Sequence, residues 1–298
     1  MPWGGFYAGR RVGAVRPMML PKFPAPEVGP RMPYVPTRDI ITYYEEAGSG
    51  EPLVLIRGLG SDLQAWAPQV PLLAKHFRVI TYDNRGAGRT GAPDRPYSIA
   101  GMADDLAALL DELKVEKAHV LGYSMGGMIA QEFALRHPGR LEKLILLATT
   151  AKPDGYVRAV VQSFITVRRT NISREGFVRT LAPYLYTAEL FDDEERYERA
   201  ILVSVQNPYA QQDHAFIRQA QAILAHDTSG RLGSIKAPTL VVTNRDDILI
   251  PPRHGEALAK GIPGAQHRSL DGAHAGVTEY PVEHCTAFAE FLGAAVTA

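Results

Sequence analysis

Gly122-Tyr123-Ser124-Met125-Gly126-Gly127 follows the mostly aliphatic run Ala118-His119-Val120-Leu121 and leads directly into residues 128–136. The aliphatic residues before Gly122 predict a strand, and Met125, Met128, Ile129 and Phe133 at helical spacing predict a helix after it. Strand, G-x-S-x-G and helix in that order form a nucleophile elbow. The turn is so sharp that the serine backbone is strained, and small neighbours let other backbone approach. Such a turn exposes Ser124 Oγ to a base.

Strands and helices alternate on both sides of the elbow. Residues 40–45, 53–56 and 79–82 read as strands, and residues 98–113 as a helix with Ile99, Met102, Leu106, Leu109, Leu110 and Leu113 on one stripe. After the elbow come strands at 144–147, 239–242 and 265–270 and helices at 252–260 and 282–292. This alternation specifies an α/β fold with a mainly parallel sheet covered by helices on both faces. Three parts are expected: a Pro/Gly-rich N-terminal extension over 1–37, a core over 38–151 and 235–298, and a mostly helical insertion over 152–234. Prolines 17, 21, 24, 26, 30, 33 and 36 break any regular element in the extension, so Met19 or Met32 is a candidate start. The insertion leaves between two sheet strands, at the edge where open α/β sheets place ligands, and is a candidate cap. Its aromatics, among them Phe164, Tyr184, Tyr186 and Phe216, serve either a substrate pocket or the insertion's own packing.

Composition narrows the function classes. The chain has 298 residues, 46% hydrophobic and 21% charged, with 32 basic and 32 acidic residues, so it has no net field to attract nucleic acid or an anionic membrane. The one cysteine, Cys285, rules out an intramolecular disulfide and a cysteine-based zinc site. No apolar run is long enough to span a bilayer, and the expected location is cytoplasmic. The partner expected is a small molecule; the sequence assigns no oligomeric state.

A serine hydroxyl needs a base, and the base needs a carboxylate to hold its tautomer. His274 lies in the small-residue loop Asp271-Gly272-Ala273-His274-Ala275-Gly276, between the last strand and the last helix, at the same sheet edge as the elbow. The other histidines fall in strands, at helix ends or in the insertion, and His284 lies inside the terminal helix. The acid is expected just after residues 239–242, where Asp246 and Asp247 are candidates. If Asn244 takes a left-handed turn position, which asparagine tolerates, the acid is Asp247 and Asp246 is a turn or surface residue. Arg57-Gly58-Leu59-Gly60 follows the strand at 53–56, and its glycines leave amides uncovered. Leu59 N–H and Met125 N–H are the expected oxyanion donors, with Arg57 either bracing the loop through its own donors or, if its guanidinium points inward, adding charge stabilisation. Gly86-Ala87-Gly88-Arg89-Thr90-Gly91 fits G-x-G-x-x-G, but Pro93 and Pro96 interrupt the helix that a dinucleotide site needs, so it reads as a structural loop.

Arg57 to Gly60, Asp83-Asn84-Arg85-Gly86-Ala87-Gly88-Arg89-Thr90, the elbow, Asp247 and His274 together resemble the α/β-hydrolase fold family, in its order of serine, acid and histidine. The resemblance covers nearly everything after residue 37. It implies an eight-stranded, mostly parallel sheet with a helical cap, no cofactor, and an acyl-enzyme mechanism; that no metal is expected rests on the other histidines, no pair of which has the spacing and carboxylate company of a metal site. It is strongest toward the branch of carboxylesterases, enol-lactone hydrolases and carbon–carbon bond hydrolases. Ser124 sets the chain apart from relatives with an elbow aspartate. Arg57 stands where the family usually has histidine or asparagine, and Asn244 where it usually has glycine. The expected function is a cofactor-independent carboxylesterase acting on a small to medium ester. Lactonase, carbon–carbon hydrolase, acyltransferase and non-turnover ligand sensor are the alternatives.

Overall fold

A computed structural model describes residues 33–294. The proline-rich stretch before residue 33, with Met19 and Met32, lies outside the described residues. Eight strands form one sheet: β1 Tyr34–Thr37, β2 Ile40–Ala47, β3 Pro52–Ile56, β4 Arg78–Tyr82, β5 Ala118–Tyr123, β6 Leu141–Leu147, β7 Thr239–Asn244 and β8 Gln266–Leu270. The helices are α1 Val70–Leu73, α2 Ile99–Glu112, α3 Met125–Arg136, α4 Gly155–Arg168, α5 Arg174–Leu185, α6 Ala188–Asp192, α7 Glu194–Gln206, α8 Asp213–Leu224, α9 Arg253–Gly261, α10 Gly276–Glu279 and α11 Pro281–Leu292.

The sheet order is β1-β2-β4-β3-β5-β6-β7-β8. Strands β1 and β2 pair antiparallel at one edge, and every pairing from β4 to β8 is parallel. Alternate residues of each parallel strand serve opposite faces, so these strands read as continuous apolar runs. Val54, Ile56, Val120, Leu144 and Leu146 pack with α2 and α3 on one face. Leu53, Leu55, Leu121, Ile145 and Leu147 pack on the other with Trp66, Leu73, Phe77 and Phe288. Helix α2 starts where Ser98 Oγ accepts Gly101 N–H at 3.0 Å, a side-chain cap on its open amides.

Strand β1 corrects the expected boundary of the extension. Residues 34–37 pair with β2, Tyr34 opposite Tyr43 and Pro36 opposite Ile41. Pro36 is tolerated because β1 is an edge strand, where one side of the ladder needs no N–H.

The chain order places a topological switch point at the centre of the sheet. From β3 it moves to β4 on one side and then returns to β5 on the other, so the loops after β3 and β5 diverge from neighbouring strand ends. The helices α4 to α8 all lie between β6 and β7 in sequence, and they rest on loops at the carboxyl ends of the strands. Gln219 Nε2 donates to Arg85 O at 2.7 Å, Gln211 Nε2 to Gly86 O at 2.9 Å and Asn207 Nδ2 to Asp62 Oδ2 at 2.6 Å. Ala275 N–H, beside His274, donates to Leu185 O at 2.7 Å. The stretch from Gly86 to Gly91 is a loop, and α2 begins only at Ile99. Among the described residues no helix is long and apolar enough to cross a membrane.

Candidate active site

Ser124 sits between the end of β5 and the start of α3 with φ 57° and ψ −120°, a conformation that costs a non-glycine residue on the order of 1–3 kcal/mol. The surroundings hold it there. Ser124 N–H donates to Leu147 O at 2.9 Å, while Ser124 O accepts from Gly127 N at 2.9 Å and from Thr149 Oγ1 at 2.7 Å. The small residues of the motif are a steric requirement. A Cβ at Gly122 would lie 2.3 Å from Gly126 O, and one at Gly126 would lie 2.2 Å from Ile56 O.

The three chemistry-bearing residues meet across three separate loops. His274 Nε2 is 3.0 Å from Ser124 Oγ, and His274 Nδ1 is 2.8 Å from Asp247 Oδ2. The carboxylate takes the Nδ1 proton as its hydrogen bond, which leaves the Nε2 lone pair for the serine O–H. Both His274 and Asp247 are buried, at 2% and 3% exposure, so the pair is shielded from competing water. The other oxygen, Asp247 Oδ1, accepts Ile250 N–H at 2.8 Å and fixes the carboxylate plane. Asp246 is exposed and joins the site only through its backbone, donating to Gly272 O at 3.0 Å.

Asn244 departs from its expected role. It is not among the described residues with positive φ; it closes β7 and is fully buried. Its side chain ties the acid and histidine loops together: Asn244 Nδ2 donates to Ala273 O at 2.7 Å and to His274 O at 3.3 Å, and Oδ1 lies 3.0 Å from His284 Nε2. His284, set aside in the sequence reading as a helix residue, is therefore a buried partner of the loop that carries His274. Replacing Asn244 with leucine strands these polar groups away from water. The expected cost is about 2 kcal/mol of unfolding free energy, read as a lower Tm. An unchanged Tm would show that these bonds hold nothing.

The loop after β3 passes directly against the elbow, since a Cβ at Gly58 would lie 3.0 Å from Ser124 Cβ. Met125 N–H opens α3, where a helix has no acceptor for its first amides. Neither Leu59 N–H nor Met125 N–H has a hydrogen-bond partner among the described residues. The brace expected of Arg57 comes from a residue to which the sequence assigned no role: Asn84 Nδ2 donates to Arg57 O at 2.9 Å. Asp83 carries the rest, accepting Leu63 N–H and Arg89 N–H at 2.8 Å each; burial pushes its carboxyl up to about 6. The Arg57 side chain finds no acceptor for its Nε and Nη1. Its guanidinium carbon lies 4.7 Å from the Trp66 ring centre and 4.6 Å from that of Tyr123.

Comparisons with known proteins bear on the family and the fold. Residues 51–279 match the family model described as alpha/beta hydrolase fold. A protein of Azorhizobium caulinodans named "Putative carbamate hydrolase RutD" is 35% identical over 254 residues, which cover 82% of this chain and 92% of the relative. A solved hydrolase from Pseudomonas aeruginosa PA01 superposes with a TM-score of 0.81 at 31% identity, covering 88% of this chain and 98% of the other. The enol-lactonase from Burkholderia xenovorans LB400 does so with a TM-score of 0.79, also at 31% identity, covering 87% and 99%. The elbow, the eight-stranded sheet and these relatives converge: this chain belongs to the α/β-hydrolase fold family and is a hydrolase.

Proposed function

We propose that this hydrolase cleaves carboxylic esters through an acyl-enzyme on Ser124. The observation that carries the reading is the unbroken hydrogen-bond chain from Ser124 Oγ through His274 to Asp247, at 3.0 and 2.8 Å. In the first half, Ser124 Oγ attacks the carbonyl carbon and its proton passes to His274 Nε2. The carbonyl oxygen becomes an oxyanion that accepts from Leu59 N–H and Met125 N–H. Collapse breaks the carbon–oxygen bond, and His274 returns the proton to the departing alcohol. In the second half, a water gives its proton to His274 and attacks the acyl carbon. Ser124 leaves with that proton and the carboxylic acid is released. Asp247 keeps the imidazole oriented and stabilises its cationic form throughout.

The helices between β6 and β7 act in this reading as a cap. They rest on the loops of Asp62, Arg85 and His274, and Phe216 of α8 lies 3.4 Å from where a Gly60 Cβ would stand. Substrate selection therefore falls to this layer, since family members with one triad differ in what they admit.

Two neighbouring chemistries have specific support. The structural likeness to an enol-lactonase favours a cyclic ester, and the relatives named as carbamate hydrolases favour a carbamate. A panel of alkyl esters, lactones and carbamates, with Ser124→Ala as the blank, separates them. The proposal expects the highest kcat/KM on an ester, linear or cyclic. Turnover of carbamates alone, or turnover that survives in the blank, would overturn it.

The oxyanion assignment has its own test. Leu59→Pro removes the amide donor and is expected to lower kcat by on the order of 100-fold, about 3 kcal/mol. Leu59→Ala keeps that amide and is expected to be far milder. Equal kcat in the two folded variants would move the oxyanion hole elsewhere.

A further inference from the structure

Arg57 is a buried cation with no ion-pair partner among the described residues. It is 6% exposed, its Nε and Nη1 donate to no acceptor, and no described carboxylate lies within ion-pair distance of it. Trp66 Nε1, in one of the two rings that flank it, is likewise buried without a partner. Taking a guanidinium out of water is costly, and stacking on two ring faces offsets only part of the penalty. A methionine or leucine would fill the same space without it. Burial draws the guanidinium below its ordinary value, yet an arginine stays protonated.

The position of this charge points to a ligand. Arg57 directly precedes the glycine whose Cβ would touch Ser124, and Tyr123, on which the guanidinium lies, is the residue before Ser124. The Tyr123 ring is in turn 5.1 Å from the His274 ring. Tyr186, directly after α5, and Asp62, in the loop after β3, are the other neighbours whose charge Arg57 feels, Asp62 from beyond ion-pair distance. A cation held one ring away from the nucleophile and base, with donors to spare, is set to receive an anionic group from whatever binds at Ser124.

We propose that Arg57 is a specificity-determining residue that binds a carboxylate of the substrate, so that the preferred substrate is an ester or lactone bearing a second, ionised carboxyl group. The proposal rests on the serine-hydrolase reading above. A carboxylate would accept the idle N–H donors in a charge-assisted pair, which is the geometry in which guanidinium outperforms ammonium. A neutral substrate of the same length would leave the cation unpaired, and the site would discriminate against it.

The test compares monomethyl esters of succinic, glutaric and adipic acids with methyl esters of neutral acids of matching length, assayed by pH-stat. In the wild type the best anionic ester is expected to exceed its neutral match in kcat/KM by about tenfold or more. Arg57→Met is expected to bring that ratio to about one, with Arg57→Lys in between. Labelling of Ser124 by a neutral fluorophosphonate reports whether each variant still assembles the site. Should Arg57→Met not fold, the wild type alone decides: glutarate and succinate are expected to protect Ser124 from labelling at about tenfold lower concentration than the corresponding diamides. Equal or better turnover of the neutral esters, or equal protection by diacid and diamide, would overturn the proposal. Absence of labelling and of all ester turnover would instead overturn the serine-hydrolase reading itself.

Discussion

Ser124→Ala is expected to abolish turnover while leaving the protein folded, with kcat falling by on the order of 10⁶-fold. The reason is local. Among the described residues Ser124 Oγ is the one hydroxyl within hydrogen-bond reach of His274 Nε2, at 3.0 Å, so no second nucleophile there inherits the proton transfer. The residual rate comes from the oxyanion amides and from substrate binding, which alanine leaves in place. Stability should change little, because the bonds that hold the strained elbow are made by the Ser124 backbone with Leu147, Gly127 and Thr149, not by its side chain. The check is kcat on the best ester together with Tm. A folded alanine variant with full activity would remove Ser124 from the mechanism.

Asp247→Asn carries the next largest effect, on the order of 10⁴-fold in kcat. The amide that replaces the carboxylate neither stabilises an imidazolium nor fixes the Nδ1–H tautomer, although it occupies the same volume. One oxygen of Asp247 is bonded to His274 Nδ1 and the other to Ile250 N–H. An asparagine satisfies the amide of Ile250 only by turning its own NH₂ toward the imidazole, which inverts the tautomer. Asp246→Asn is the internal control. Its side chain is exposed, and a surface change of this kind is expected to move kcat by no more than about twofold. A greater sensitivity at Asp246 than at Asp247 would reverse the assignment of the acid.

These two aspartates show how far the sequence is legible. The elbow can be read because its chemistry requires small residues at fixed spacing, and the steric limits at Gly122 and Gly126 are the physical form of that spacing. The parallel strands can be read because burial on both faces makes them uniformly apolar. The sequence points to Asp247 through an expected left-handed turn at Asn244; in the structure Asn244 has no positive φ, and the two aspartates differ in that Asp246 is exposed while Asp247 is buried. Asn244 itself closes a strand and spends its side chain on residues 29 and 30 positions away. Its link to His284, the Asn84 bond to Arg57 O and the Thr149 bond to Ser124 O are long-range pairings with no local pattern. Strand β1 was hidden by Pro33 and Pro36, since proline signals a break wherever it falls but is tolerated at a sheet edge. The buried, unpartnered state of Arg57 depends on which way one side chain leaves a loop, which residue type alone does not encode.

The central claim is that Ser124 is the nucleophile, and its most direct measurement is peptide mass mapping after inactivation by a fluorophosphonate. The account predicts a single covalent adduct on Ser124, formed in parallel with loss of esterase activity, absent in Ser124→Ala and strongly slowed in Asp247→Asn. An adduct on another residue that tracks the loss of activity, or ester turnover that persists when Ser124 is fully modified, would contradict it.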